Sequence, residues 1–101
     1  MKSFESFLAT QFNEFLAYRQ DMGYSTRQSR SDLLLFDRYL IEKKADWDAL
    51  TPSFFLQMRS EISMEAVSIN KMLFTLRVFF RFLLCHNYVN QSPMQDVPLL
   101  K

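Results

Sequence analysis

The sequence predicts an all-α fold of four helices followed by an extended C-terminal tail. Hydrophobic residues make up 49% of the 101 positions, eleven of them Phe. One glycine and three prolines are too few for the turn-rich connections of a β-sandwich, and suit helices joined by short links. Apolar residues also recur at three- and four-residue spacing along most of the chain, the period of a helix face. A chain of this length buries roughly 60–70% of its unfolded surface, so a single core needs no staples.

The first helix is expected over roughly 4–22, where Phe4, Phe7, Leu8, Phe12, Phe15 and Leu16 keep the helical period. Gly23 follows as a natural C′ residue, able to take φ > 0 without a Cβ clash. Ser25 or Thr26 suits the N-cap of a second helix over about 26–44, with Leu33, Phe36 and Leu40 inward. Asp46 and Asp48 fall in an expected loop. In "LTPSFFLQM", Thr51 suits an N-cap and Pro52 suits N1, where its missing N–H costs nothing. Phe55, Met58 and Ile62 give this third helix a short apolar stripe. The fourth helix is expected to start between Ser63 and Ser68 and to run to about Asn87. At about 100° per residue, Ile69, Leu73, Leu76, Phe80 and Leu83 share its core face. The remainder, "NYVNQSPMQDVPLLK", contains Pro93 and Pro98, lacks a helical period and reads as an extended tail.

Several classes of function are excluded. The single Cys85 rules out an internal disulfide and fits a reducing cytoplasm. The lone His86 has no second imidazole, and Cys85 beside it lacks the spacing of a metal site. Cys85 is expected to be a small, partly buried packing residue, and His86 to lie near a helix end. One glycine cannot build a phosphate-cradling loop, and Asp46 with Asp48 suits solvation better than acid–base work. No catalytic residue, metal, cofactor or small-molecule substrate is expected. Arg77 and Arg81 interrupt the greasiest stretch, so no membrane span of ~18 apolar residues forms. Glu5 falls inside what would be a signal-peptide apolar region, and a cytoplasmic protein is expected.

Net charge is only +1, but its distribution is uneven. Lys71, Arg77 and Arg81 lie between Glu65 and Asp96 with no acid among them. Arg27 and Arg30 lie likewise between Asp21 and Asp32. Segregation of this kind places a basic face on a near-neutral protein. Asn70, Phe74, Arg77 and Arg81 follow at spacings of four, three and four, a stripe along the edge of the fourth helix's core face. Long Arg and Lys stems lie over apolar surface while their heads reach phosphates. Arg also suits guanine edges, and Asn suits adenine or a phosphate oxygen. Ser25, Thr26, Arg27 and Arg30 gather hydroxyls and guanidinium groups near a helix N-terminus, a favourable phosphate site. Arg19, Arg38, Lys43 and Lys44 read as solvated face residues.

The ordered runs "GYSTRQSRSDLLLFDRYL", "DALTPSFFLQMRS" and "SINKMLFTLRVFFRFLLCHNYVNQSPMQDV" resemble the N-terminal core-binding, SAM-like domain of the tyrosine recombinase (phage integrase) family. The resemblance is strongest from Ser68 to Val97, through Ile69-Asn70, Leu73, Leu76-Arg77, Phe79-Phe80, Phe82-Leu83 and Ser92-Pro93. It implies a non-catalytic half of a clamp on double-stranded DNA, with the second and fourth helices against the duplex and neighbouring recombinase subunits alongside. Ser68, at the head of the best-matched stretch, joins Asn70, Lys71, Arg77 and Arg81 as a candidate contact. The resemblance also implies a core-binding domain over 1–90, with 91–101 beginning a linker toward a catalytic domain. The family's catalytic arginines, His-x-x-Arg and nucleophilic tyrosine are not among these residues, so the chain reads as an excised domain or a truncated product. Ser29 and bulky Phe74 depart from the family's usual Tyr and Ser. Two alternatives stand beside this: a protein-interaction module using Phe4, Phe7 and Phe74, and a standalone regulator that competes for recombination sites.

Overall fold

The computed structural model describes residues 3–94 and 97. The chain divides into two compact units, the first ending at Ala45 and the second beginning at Asp46. Among the described residues there are four α-helices, α1 (Ala9–Asp21), α2 (Arg27–Glu42), α3 (Pro52–Glu61) and α4 (Ala66–Cys85), with a 3-10 turn at Trp47–Ala49 and no strand. None of these helices is long and apolar enough to cross a membrane.

In the first unit α1 packs on α2, and Phe12 meets Phe36 edge-on at 6.1 Å between ring centroids. Helix α1 starts at Ala9 rather than near Phe4. The reason is Asp37, on α2, whose buried carboxylate accepts N–H bonds from Glu5 (3.0 Å) and Ser6 (2.9 Å). That pins the entering segment in a non-helical path. Phe4 and Leu8 remain buried all the same, and Phe4 sits 4.8 Å from Phe12. The apolar period there marks burial without marking helix.

At the other end of α1, Gly23 takes φ +89°. Its N–H reaches the Gln20 carbonyl, and the Tyr24 N–H reaches that of Arg19. This pair of bonds is a Schellman cap. Thr26 occupies the N-cap position of α2, but its side chain makes no capping bond. The expected cap is therefore a position only.

The second unit opens with Asp46, whose side chain accepts from Asp48 N–H (3.0 Å) and Ala49 N–H (3.2 Å). A capped 3-10 turn stands where a plain loop was expected. Thr51 Oγ1 accepts from Phe54 N–H at 3.3 Å, and Pro52 starts α3, as its sequence anticipates. Phe55 of α3 meets Phe80 of α4 edge-on at 5.4 Å.

Helix α4 buries all five expected core residues, Ile69, Leu73, Leu76, Phe80 and Leu83. It also buries Met72, Thr75, Phe79 and Phe82, a wider arc than one amphipathic face. Cys85, expected to be partly buried, is exposed at the last turn. His86 caps the helix with its ring 4.2 Å from that of Phe82. Beyond it Pro93, Met94 and Val97 are buried. Residues 95, 96 and 98–101 of the expected linker lie outside the described residues.

Candidate nucleic-acid interface

With most of its circumference buried, α4 leaves one narrow strip in solvent. Val67 and Phe74 are 63% and 61% exposed on it. Lys71 and Arg81 are exposed, and Asn70 and Arg77 half-buried. No acidic residue occurs anywhere on the helix. The strip is thus donor-rich and apolar at once, and it bears no charge that repels a polyanion.

Ser68 is half-buried in the first turn, three residues before Lys71 and so beside it on the helix surface, at the border of the strip. Arg77 has a partner within the fold: its guanidinium donates to the Val97 carbonyl at 2.6 Å. It holds the tail as well as facing outward. Arg77 and Arg81 also border a groove of about 500 Å³, completed by Leu84, Asn90, Gln91, Ser92 and Met94. Sequence reading missed Asn90, Gln91 and Ser92. Ser92-Pro93 was noted only for the resemblance, and nothing local marks these three as lining a groove; Pro93, Met94 and Val97, which follow them, are buried.

In the first unit, Ser25 and Arg27 are exposed and Thr26 half-buried at the start of α2. The first turn of α2 has no acid and no side-chain cap, so its backbone N–H groups and Arg27 present positive charge together. Arg30, one turn on, is half-buried with its guanidinium 5.2 Å from the centre of the Phe4 ring. Arg19, expected to be solvated, instead packs its guanidinium 4.0 Å over Tyr24 and 5.9 Å from Phe15. That stacking lies across the Schellman cap and ties it together. Phe4 is buried and Phe7 half-buried, which leaves Phe74 as the exposed member of the aromatic trio proposed for subunit contacts. Among the described residues no cluster of His, Cys, Asp and Glu could hold a metal ion.

Residues 9–87, from the first residue of α1 to just past the cap of α4, match the phage integrase N-terminal SAM-like domain family, and the chain belongs to that family. The tyrosine recombinase XerD of Rickettsia bellii (strain RML369-C) is 28% identical over 96 aligned residues, covering 91% of this chain and 32% of the relative. The chain thus spans about a third of the length of that curated relative. No solved structure matches it.

Proposed function

We propose that this chain is the non-catalytic, DNA-binding part of a site-specific tyrosine recombinase, gripping one side of a duplex recombination site. The observation that supports it best is the exposed strip of α4, where Asn70, Lys71, Arg77 and Arg81 stand together without an acid. Lys71 and Arg81 meet phosphates; Asn70 and Arg77 lie close enough to the strip to meet phosphates or base edges. The start of α2, with Ser25, Thr26 and Arg27, supplies further phosphate contacts from backbone N–H groups and a guanidinium. Residues 1–90 form the binding domain, and 91–101 begin the linker to a catalytic domain.

Alone, such a half-clamp binds duplex DNA with little sequence preference, with a Kd on the order of 10⁻⁴–10⁻⁶ M at physiological salt. The test is a salt titration of affinity for the chain and its Lys71→Ala, Arg81→Ala and Lys43→Ala variants. Removing a cation that neutralises one phosphate lowers the slope of log K against log salt by about 0.9. The first two variants are therefore expected to lower it and the third to leave it unchanged. Absence of binding near millimolar protein at low salt rejects the proposal. A second reading is favoured by Phe74 and Val67, both more than half exposed on the same helix: neighbouring recombinase subunits meet through this apolar surface. Self-association without DNA affinity would select it.

A further inference from the structure

The groove between α4 and the 90–92 loop sets opposite Arg77 and Arg81 a wall of side chains that the reading above leaves unused. Its lining holds two guanidinium groups, two carboxamides and one hydroxyl, with no carboxylate. We propose that this groove is a phosphate site, and that its occupant is one phosphodiester of the DNA backbone; this rests on the DNA-binding reading.

The chemistry on each wall is matched to an acceptor-only anion. Arg77 and Arg81 stand one turn apart on α4. Arg77 is oriented in advance, because one of its terminal nitrogens is already committed to the Val97 carbonyl at 2.6 Å. A guanidinium carries five N–H donors and no acceptor, so the others remain to be offered. Across the groove, Asn90 and Gln91 are exposed, and each carboxamide brings two donors. The Ser92 hydroxyl oxygen accepts from the Met94 N–H at 3.2 Å, which leaves its O–H to donate. Leu84 and Met94 complete the lining with apolar surface, a suitable rest for the sugars that flank a diester. Asp and Glu are absent from 66–95, so no local charge opposes an anion. Charge-assisted bonds from planar, fixed guanidinium groups are the strong ones for phosphate.

The experiment uses the full chain and a short fluorescent duplex, with thermal melts on every variant. Gln91→Glu places a negative charge in the groove, while Gln57→Glu changes net charge equally at an exposed position on α3. Gln91→Glu is expected to weaken affinity roughly tenfold, and Gln57→Glu far less. The double variant Asn90→Ala with Gln91→Ala is expected to weaken it roughly two- to tenfold, with the salt slope unchanged because no cation is removed. Isotope-labelled protein supplies the second arm. The side-chain amide signals of Asn90 and Gln91 are expected to move with duplex, and with inorganic phosphate only at far higher concentration.

If Lys71→Ala weakens binding while all groove variants are silent, DNA binding stands and the groove proposal falls. Equal weakening by both Glu variants also overturns it, since diffuse charge would then explain the effect. Tighter binding of inorganic phosphate than of duplex assigns the groove to a free anion and rejects the diester. Failure of the unmodified chain to bind duplex at low salt removes both proposals.

Discussion

Asp37 is a charged residue only 4% exposed, and it determines where the first helix begins. Its two oxygens accept from the Glu5 and Ser6 N–H groups, bonds of the charge-assisted kind. Asp37→Ala leaves those N–H groups without their acceptor and is expected to cost about 2–3 kcal/mol. That is about 10 °C or more in Tm for a domain of this size. Thermal melts and amide exchange at Glu5 and Ser6 check it; unchanged exchange there would mean that Asp37 does not hold the segment. Arg77 presents a similar case. Its place off the core face alone predicts that Arg77→Ala leaves the fold intact. With its bond to Val97, the same change is expected to cost about 1–2 kcal/mol and to loosen the tail around Met94 and Val97. Lys71→Ala, at an exposed position, is expected to stay within about 0.5 kcal/mol. Equal melts for the two variants would remove the structural role of Arg77. None of this was readable along the chain, because Asp37 and Arg77 find their partners about 20 to 30 residues away.

Three helices end in the same way, with a residue at φ > 0 closing a Schellman pair: Gly23 after α1, Lys44 after α2 and Asn87 after α4. The left-handed conformation is free for glycine, tolerable for asparagine and costly for lysine. Lys44→Gly is therefore expected to raise stability by about 0.5–1 kcal/mol, the relieved strain exceeding the added unfolded-state entropy. Gly23→Ala is expected to lower it by about 1 kcal/mol. No atom lies within 4 Å of the Cβ it would gain, so backbone strain is the whole effect. Denaturant titrations of the two variants check the opposite signs, and like signs would refute the argument. Within α4, Leu76 is fully buried, and Leu76→Ala is expected to cost roughly 2–5 kcal/mol. Of the helix boundaries, those with side-chain punctuation were legible: Gly23 for the end of α1, and Thr51-Pro52 for the start of α3. The start of α1 was not, since Phe4 and Leu8 keep a helical period in a segment that Asp37 holds out of the helix. The ends near Lys44 and Asn87 were anticipated to within two residues, Asn87 being a residue that suits C′, whereas nothing local marks Lys44 as a left-handed position.

For the chain as a whole, the four-helix architecture followed from composition and period, and the α4 strip from its four–three–four spacing. The loop that completes the groove was not legible, because nothing local marks Asn90, Gln91 and Ser92 as lining one. The pieces that were legible bear on binding, and the assignment as the non-catalytic part is tested at the tyrosines. A tyrosine that attacks a phosphodiester needs cations on the non-bridging oxygens and a proton acceptor beside its hydroxyl. Tyr39 is only 7% exposed. Tyr24 has an arginine beside it, but the Arg19 guanidinium lies 4.0 Å over the ring face rather than at the hydroxyl. His86, the one imidazole of the chain, stacks on Phe82 at the end of α4. Tyr18 and Tyr88 are 46% and 38% exposed. The chain by itself is therefore expected neither to relax supercoiled plasmid nor to form a covalent adduct with DNA, even at concentrations where it binds. Gel relaxation assays and denaturing gels of labelled duplex, run with Tyr18→Phe, Tyr24→Phe, Tyr39→Phe and Tyr88→Phe alongside, decide the point. Relaxation by pure protein that disappears in one of those variants would place a nucleophile in this chain and end its assignment as the non-catalytic part.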